Sequence, residues 1–318
     1  MTDLAHRINA SLKRMTGYTI TRAATQAGRD DRIHRLERRI QRLEQKVTGA
    51  EVPRRPSQKA FDAALARLAD HPLERLSLTE IANLHGSDKG TLGPSPRRPG
   101  RNYTDVYEAF LRPLRNEPIT ILQVGLGVQG HAPVGRAAPG RRDVGAASLR
   151  TWYDYFPSAR VLGADVDPSP HLDDDRVTTY VLDQGDPESL TALCDSLGDL
   201  ELDVVVDGGS HRPDHQQLTL GHLFPRVKPG GLYIIENLLT NGKGDGRGNS
   251  VSADTVLNTR RVLKELVRYD AFGSPHLLVD EEGLARDIAQ MTFHVPRNPT
   301  RLDTESVCVI RKSTTARP

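Results

Sequence analysis

Predicted strands and helices alternate from residue 119 onward, and this alternation restricts the fold more than any other feature of the chain. Short apolar runs predict strands, and stretches with apolar residues at helical spacing separate them. The predicted strands are residues 119–124, 161–165, 177–182, 203–207, 232–236, 291–295 and 306–311. The predicted helices between them are residues 146–155, 187–197, 214–224 and 254–269. Alternation of this kind predicts an α/β domain over residues 119–318, with a parallel sheet covered by helices on both faces.

Two further regions precede this domain. Residues 1–57 form a basic arm that ends in a Pro-rich linker, and residues 1–60 hold 14 Lys and Arg against six Asp and Glu. Within the arm, apolar residues spaced by three and four form the seam of a short coiled coil: Ile33, Leu36, Ile40, Leu43 and Val47. We expect this helix to pair with a copy of itself, which makes a homo-oligomer, or to pack on the main domain. Residues 58–118 carry helical apolar spacing and form an auxiliary or lid region.

The composition narrows the function classes. Two cysteines, Cys194 and Cys308, give neither a disulfide framework nor metal-ligand spacing, so buried thiols are expected. The sequence has no apolar run of membrane-spanning length and begins without a signal-peptide core, so we expect a cytoplasmic protein. The basic arm could contact nucleic acid, but the main domain has neither a basic face nor a motif for a flipped base. A nucleic-acid substrate is therefore not expected.

Acidic residues end three successive predicted strands, at Asp165, Asp183 and Asp207. Ligands of open α/β sheets lie outside the carboxyl ends of the strands, so this pattern predicts a nucleoside-like ligand. Residues 204–211 read Val-Val-Val-Asp-Gly-Gly-Ser-His, which adds a titratable histidine, His211, at the same edge. Residues 125–130 match the Gly-x-Gly-x-x-Gly spacing of dinucleotide-binding loops. That motif alone is compatible with a nicotinamide-dependent dehydrogenase.

A larger set of motifs resembles a known family. The set consists of Ser-Asp-Lys-Gly (87–90), Tyr-Thr-Asp-Val-Tyr (103–107), Leu-Gln-Val-Gly (122–125), Ser-Leu-Arg-Thr-Trp (148–152), Tyr-Phe-Pro (155–157), Asp-Gln (183–184), Asp-Gly-Gly-Ser-His (207–211) and the Pro-Gly-Gly to Ile-Glu strand (229–236). Together these motifs resemble class I S-adenosylmethionine-dependent methyltransferases and, more narrowly, the macrocin and mycinamicin sugar O-methyltransferases. The resemblance implies a Rossmann-like, seven-stranded, mostly parallel sheet whose last strand is antiparallel.

The resemblance also implies an activity and a set of roles. The implied reaction is O-methylation of a sugar hydroxyl on a glycosylated natural product or glycan precursor, with S-adenosyl-L-methionine as methyl donor and His211 as general base, assisted by Asp207. The implied cofactor-binding residues are Gln123, Gly125, Gly127, Ser148, Asp165, Asp183, Gln184 and Asp207. The implied Mg²⁺ ligands are Asp207, Glu236 and Asn237.

Three positions depart from the family pattern, and each replaces an acid by a neutral residue. Gly208 stands where the family has a second Asp, Asn237 replaces an Asp, and Gln123 replaces a Glu. A hard divalent cation prefers charged oxygen ligands, so the sequence leaves Mg²⁺ dependence open. The same departures are compatible with a protein that binds S-adenosylmethionine but has lost or altered methyl transfer.

The acceptor-binding candidates are Tyr103, Arg141 and Arg142. Tyr103 is expected to be a core or lid aromatic, with contact to the acceptor as the second interpretation. The two arginines lie in a long loop after the first strand of the domain, where they predict either a solvated loop or an anion site for a phosphate- or carboxylate-bearing acceptor. Two further histidines, His215 and His222, fall on the helix after His211 and are expected to be structural or solvent-facing.

Overall fold

The computed structural model describes residues 20–21, 57–96, 99–127, 146–238, 258–269, 274–277, 281–294 and 307–314. The strands in this part of the chain are β1 (Ile20–Thr21), β2 (Thr120–Val124), β3 (Arg160–Asp165), β4 (Val177–Val181), β5 (Leu202–Asp207), β6 (Val227–Ile235), β7 (Ile288–His294) and β8 (Val307–Lys312). The helices are α1 (Gln58–Ala69), α2 (Leu78–Leu84), α3 (Thr104–Leu111), α4 (Ala147–Tyr155), α5 (Pro187–Leu197), α6 (Pro213–Leu223), α7 (Thr259–Tyr269) and α8 (Glu281–Asp287).

The strands form one mixed sheet in the order β1-β7-β8-β6-β5-β2-β3-β4. Strands β2 to β6 run parallel to one another, and β8 runs antiparallel to both β6 and β7. The predicted seven-stranded sheet with an antiparallel last strand is confirmed. The short strand β1 adds an eighth strand at the edge, antiparallel to β7, and was not predicted. The rest of the N-terminal arm, including its predicted coiled-coil seam, lies outside the described residues.

The sheet separates two apolar cores. One face carries Ile121 and Val206 and packs against helices α2 to α4, with Trp152 fully buried among them. The opposite face carries Leu122 and Val205 and packs against α5, α6 and α7. Because neighbouring strand residues point to opposite faces, strands buried on both sides need continuous apolar runs, as these have. The helices of residues 58–118 therefore share a core with the sheet and cover one of its faces.

Local sequence signals explain the best-predicted boundaries. Helix α2 begins at a capping box, in which Ser77 and Glu80 satisfy each other's backbone N–H groups. Helix α5 begins with Asp186 as the N-cap and Pro187 in the first turn. Helix α3 ends at Leu111, and the next residues, Arg112–Leu114, form a 3₁₀ turn that contains Pro113.

The Lys-Pro-Gly-Gly segment at 228–231 corrects a prediction. The sequence suggests a turn before the strand, whereas β6 already begins at Val227. Leu202 pairs with Val227 and Val204 with Leu232, so β6 accommodates extra residues as a local irregularity. Helix α8 was not predicted. Both cysteines are free thiols, on α5 and β8; Cys308 is buried as expected, whereas Cys194 is only half-buried. No helix in the described ranges is long and apolar enough to cross a membrane.

Candidate active site

The candidate site lies at the carboxyl ends of β2 and β5, where the strand order reverses. Strands β3 and β4 lie on one side of β2, and β5 and β6 lie on the other, which is the position of ligand sites in open α/β sheets. Val124 pairs in register with Asp207, so the turns after the two strands meet. Gly125 has φ +81°, and a Cβ atom there would lie 2.5 Å from Gly209 Cα. Glycine is therefore required where the two backbones touch.

Gln184 holds the turn that follows β5. Its side-chain N–H groups donate to Asp207 Oδ1 (2.8 Å) and Thr219 Oγ1 (3.0 Å), and its Oε1 accepts from the Ser210 N–H (2.8 Å). A Cβ atom on Gly209 would lie 1.9 Å from Gln184 Oε1. The resemblance assigned Gln184 to the adenine, but here both N–H groups of its carboxamide bond within the protein. Gln184 therefore positions the turn that carries His211.

His211 ends this turn in a left-handed backbone conformation, with φ 60°. This region is unfavourable for residues with a Cβ, so the surrounding contacts must impose it. Burial lowers the pKa of His211 to about 4; the positive charges of Arg101 and Lys89 act in the same direction, and Asp88 opposes them. The ring is therefore neutral near pH 7, which is the protonation state that a general base requires.

Left-handed residues recur around the site. The non-glycine residues with positive φ in the described ranges are Asn102, Ala146, His211 and Asn237. Asn102 lies next to Arg101, and Ala146 caps the start of helix α4, two residues before Ser148. Strained backbone of this kind concentrates at functional sites, because the surrounding structure must offset its cost.

Asp207 is a buried acid with an uncompensated oxygen. Oδ1 accepts from Gln184 and from the Gly209 N–H, whereas Oδ2 is buried and has no hydrogen-bond partner among the described residues. Burial is the main cause that raises the pKa of Asp207 to about 7, and the charge of Glu236 adds to it. An unsatisfied buried carboxylate oxygen favours a positively charged or hydrogen-bond-donating ligand beside it.

Residues 236–237, directly after β6, are bonded to cationic and phenolic side chains. Glu236 Oε1 accepts hydrogen bonds from Lys89 Nζ and from the Tyr107 hydroxyl. Asn237 Oδ1 accepts from Arg101 and from the Tyr103 hydroxyl, the latter at 3.0 Å. Tyr103 is fully buried, and its hydroxyl is hydrogen-bonded to the Asn237 side chain.

The donor set does not fit a divalent cation. The structure does bring together the three predicted ligands, Asp207, Glu236 and Asn237, but Glu236 Oε1 and Asn237 Oδ1 already accept hydrogen bonds from cationic side chains. Gly208 supplies no carboxylate, and a Cβ atom there would lie 2.6 Å from Glu236 Oε2 and 3.2 Å from Lys89 Nζ. Within the part of the chain that the structure describes, no group of three or more His, Cys, Asp or Glu could hold a metal ion. We therefore derive no reaction step through a metal.

The glycine loop after β2 is tied to the end of β3. Asp165 Oδ2 accepts from the Leu126 N–H (2.6 Å) and the Gly127 N–H (3.1 Å). A Cβ atom on Gly127 would meet nothing within 4 Å among the described residues. Ser148, at the start of α4, has its Oγ 3.5 Å from that of Ser87. These residues form a backbone-lined edge beside Asp165.

Beyond the tips of β3 and β4 the surface is both acidic and apolar. Asp183 is exposed, and its Oδ1 accepts from the Gly185 N–H (2.8 Å). Val166 is 43% exposed and Val181 is 56% exposed, and they are the large apolar side chains with the greatest exposure among the described residues. The sequence did not single out these valines, because a strand's exposed end looks the same as its buried middle.

Some predicted residues have other roles, and some site residues were missed. Gln123 is fully buried and accepts from Trp152 Nε1 (2.9 Å), so it anchors α4 on β2. His215 and His222 are structural, as expected, bonding Ser210 and the Leu218 carbonyl. Arg141 and Arg142 lie outside the described residues. Lys89 belongs to the Ser-Asp-Lys-Gly motif, which the resemblance assigns to a lid over the cofactor and not to the charge of the site. Arg101 had no signal beyond its place in a Gly- and Pro-rich loop.

Comparisons with known proteins agree with this geometry. No family model matches the chain. Demethylmacrocin O-methyltransferase of Streptomyces fradiae is 34% identical over 165 residues, which cover 52% of this chain and 39% of the relative. The 8-demethyl-8-alpha-L-rhamnosyl tetracenomycin-C 2'-O-methyltransferase of Streptomyces olivaceus is 37% identical over 164 residues, which cover 52% of this chain and 38% of the relative. The chain therefore spans less than half the length of these relatives.

Solved structures give the same result. MycE methyltransferase from the mycinamycin biosynthetic pathway, in complex with Mg and SAH (S-adenosylhomocysteine), has a TM-score of 0.54 and 27% identity, over 75% of this chain and 55% of that one. The same enzyme with Mg, SAH and mycinamycin VI has a TM-score of 0.55 and 25% identity, and the match covers 79% of this chain and 63% of that one. The described part of the chain therefore has the class I methyltransferase fold and is similar, in sequence and in structure, to the macrocin and mycinamicin sugar O-methyltransferases.

Proposed function

We propose that this protein is an S-adenosylmethionine-dependent O-methyltransferase that acts on a sugar hydroxyl of a glycosylated small molecule. The observation that carries the proposal is the placement of His211. A strained turn presents it at the point where the strand order reverses, between the glycine loop of β2 and the acidic ends of β5 and β6. The similarity to sugar O-methyltransferases supports the choice of a hydroxyl as the methyl acceptor.

The residues at the strand tips suit S-adenosyl-L-methionine, which supplies a methyl group bonded to positively charged sulfur. Gly125 and Gly127 would leave room for its amino-acid part, as the resemblance implies. Asp165 and Asp183 would bind the nucleoside, beside the exposed apolar surface of Val166 and Val181. The buried, unpartnered Oδ2 of Asp207 favours a positively charged ligand.

His211 would remove the proton of the acceptor hydroxyl. A sugar hydroxyl is a poor nucleophile at neutral pH, and a positioned general base contributes about 10²–10⁴-fold. The low pKa of His211 keeps its ring unprotonated, and the left-handed backbone fixes where the ring can lie. Gln184 and Gly209 act indirectly, because they fix the shape of the turn.

The relatives' names define a direct test. The acceptors to assay are demethylmacrocin, 8-demethyl-8-alpha-L-rhamnosyl tetracenomycin-C and mycinamicin VI, each with S-adenosylmethionine, by mass spectrometry of the product. A gain of one methyl group on the sugar of any acceptor supports the proposal. Calorimetry shows S-adenosylhomocysteine binding independently of the acceptor. A protein that binds NAD(H) and not S-adenosylhomocysteine would contradict the proposal.

Two alternatives from the sequence have less support. A dehydrogenase rests on the glycine spacing alone, whereas the similar proteins are named as O-methyltransferases. A protein that binds S-adenosylmethionine without methyl transfer rests on the three neutral replacements. Substituting His211 separates this alternative, because only an active enzyme loses turnover.

Two of the predicted acceptor-binding residues lie outside the described residues. We propose that Arg141 and Arg142 bind an anionic group on the acceptor. Reversing both charges, with Arg141→Glu and Arg142→Glu, should raise KM for the acceptor and leave S-adenosylhomocysteine affinity unchanged. An unchanged KM argues for a solvated loop instead.

The cellular compartment is a proposal as well. We propose a reducing cytoplasm, which suits the free thiols of Cys194 and Cys308.

We also propose a role for the N-terminal arm, which is to assemble a homo-oligomer through the predicted coiled-coil seam at residues 33–47. Placing charges in the seam, with Leu36→Asp and Leu43→Asp, should lower the mass measured by light scattering. An unchanged mass would assign the arm another role.

A further inference from the structure

The edge formed by the ends of β5 and β6 carries its own positive charges. Asp207 ends β5 and Glu236 follows β6, the neighbouring parallel strand, so two buried carboxyl groups lie close together. Uncompensated acids in such a position either take up protons or bind a cation. Here Lys89 reaches Glu236 from the loop after α2, and Arg101 reaches Asn237 from the loop before α3.

The two cations differ in exposure. The Lys89 side chain is 5% exposed and its partner Glu236 is 4% exposed, so this ion pair is buried. The Arg101 side chain is 22% exposed and also bonds Asp88 at 3.2 Å between Nε and Oδ2. A bound acceptor can therefore reach Arg101 more readily than Lys89. Arg101 also lies close enough to His211 to lower its pKa.

The space next to these cations is closed to a further carboxylate. The Cβ of any residue at position 208 would lie within 3.2 Å of Lys89 Nζ and closer still to Glu236 Oε2. Glycine at position 208 thus leaves room for the Lys89–Glu236 ion pair. The side chain of an acid at 208 would need space that the buried Lys89 ammonium and the Glu236 carboxylate occupy.

We propose that Lys89 and Arg101 replace a divalent cation in this site. Lys89 neutralises Glu236 inside the protein, and Arg101 presents the positive charge that the acceptor oxygen meets. This inference rests on the proposed methyl transfer and specifies how its site is charged. It concerns this chain's own residues, since the carboxamide of Asn237 and the missing side chain at 208 leave few charged oxygens for a metal.

The bonds of the reaction balance without a metal. The acceptor oxygen forms a bond to the methyl carbon as the carbon–sulfur bond of the sulfonium donor breaks, and that electron pair stays on sulfur. The hydroxyl proton passes to the neutral ring of His211. Arg101 stabilises the negative charge that develops on the oxygen by its fixed positive charge.

Binding of Mn²⁺ as a probe for Mg²⁺ tests the proposal. Free Mn²⁺ gives a sharp electron paramagnetic resonance signal that is lost on binding, so the measurement needs no acceptor and no turnover. The full chain, with and without S-adenosylhomocysteine, is compared with Lys89→Met and Arg101→Gln. The matched control is Lys228→Met, which removes a Lys–Asp203 pair (2.9 Å) at the start of β5 and β6.

We expect the wild type and Lys228→Met to leave the Mn²⁺ signal unchanged. Lys89→Met and Arg101→Gln should each bind Mn²⁺ at least about tenfold more tightly, because each removes a unit charge beside the acids. Circular dichroism checks folding. Should Lys89→Met fail to fold, Arg101→Gln carries the test, because that side chain is partly exposed.

Two results overturn the proposal. One is stoichiometric Mn²⁺ binding by the wild type that Asp207→Asn abolishes. The other is folded Lys89→Met and Arg101→Gln proteins with no gain in Mn²⁺ affinity. The proposed function fails separately, when the wild type does not bind S-adenosylhomocysteine in calorimetry. The Mn²⁺ result decides the charge assignment in either case.

Discussion

The ammonium of Lys89 donates a hydrogen bond to the carboxylate of Glu236, although 147 residues separate them in the sequence. The pair links the loop after α2 to the end of β6 and crosses the candidate active site. Tyr107 donates to the same carboxylate oxygen, so Glu236 has partners from two segments. The contact connects the helical layer of residues 58–118 to the chemistry at the strand tips.

Breaking this pair should strongly destabilise the fold. Lys89→Met leaves a buried carboxylate without its countercharge, which costs about 3–5 kcal/mol. Lys228→Met removes a pair whose side chains are 37% and 22% exposed, and such pairs contribute about 0–1 kcal/mol. Urea unfolding of both variants measures the difference. Equal losses of stability would mean that burial of the Lys89 pair has no energetic consequence.

Removal of the His211 ring should abolish most methyl transfer. His211→Ala is expected to lower kcat by about 10²–10⁴-fold, because the general base is lost. Affinity for S-adenosylhomocysteine should stay near that of the wild type. His222→Ala is the matched control, since its ring bonds only to the helix backbone at Leu218 in the described contacts. Full activity of His211→Ala would exclude a role as base.

The pH profile should reflect the low pKa of His211. The neutral ring accepts protons above its pKa of about 4, and an unperturbed histidine would lose this ability near pH 6.5. The ring should therefore stay neutral on lowering the pH from 7 to 5 and take up a proton near pH 4, whereas Asp207, with a pKa of about 7, titrates separately. The charges that act on the ring are those of Asp88, Lys89 and Arg101. A proton NMR titration of the His211 ring with a midpoint near 6.5 would contradict this environment.

Removing the charge of Arg101 should raise the pKa of His211. Arg101 lowers this pKa, so Arg101→Gln shifts the titration midpoint toward higher pH. Proton NMR of the His211 ring measures the shift without an acceptor. Arg67→Gln, on the exposed side of α1, should leave the midpoint unchanged. If the wild type, Arg101→Gln and Arg67→Gln all titrate with the same midpoint, Arg101 lies too far from the ring to act on its pKa.

A methyl group on Gly209 should disrupt cofactor binding. The new Cβ of Gly209→Ala would lie 1.9 Å from Gln184 Oε1, so the turn between Asp207 and His211 must move. Overpacking of this kind costs about 1–3 kcal/mol. Gly198→Ala is a useful comparison, because its Cβ meets nothing within 4 Å and only its backbone is strained. Both variants lose stability, but only Gly209→Ala should lose S-adenosylhomocysteine affinity in calorimetry.

Much of the fold was predictable because its signals are local. The β-branched run before Asp207 predicts a buried strand, and apolar residues at helical spacing predict the helix at 187–197, which is α5 (Pro187–Leu197). The Lys-Pro-Gly-Gly segment shows where local reasoning fails. Its residues favour a turn, but pairing with β5 draws them into β6. Sheet pairing outweighs local preference when the partner strand lies alongside.

The sequence by itself determined the alternation of strands and helices, the acids at the strand ends, and the Gly-Gly-Ser-His turn that presents His211. These features follow from side-chain periodicity and backbone freedom within a few residues. Only the tertiary structure decided that Gln123 and Gln184 bond inside the protein, and that Lys89 and Arg101 meet Glu236 and Asn237. The reason is physical: the hydrogen-bond partners of a buried polar group are set by segments that fold against it, and those segments lie far away in the chain.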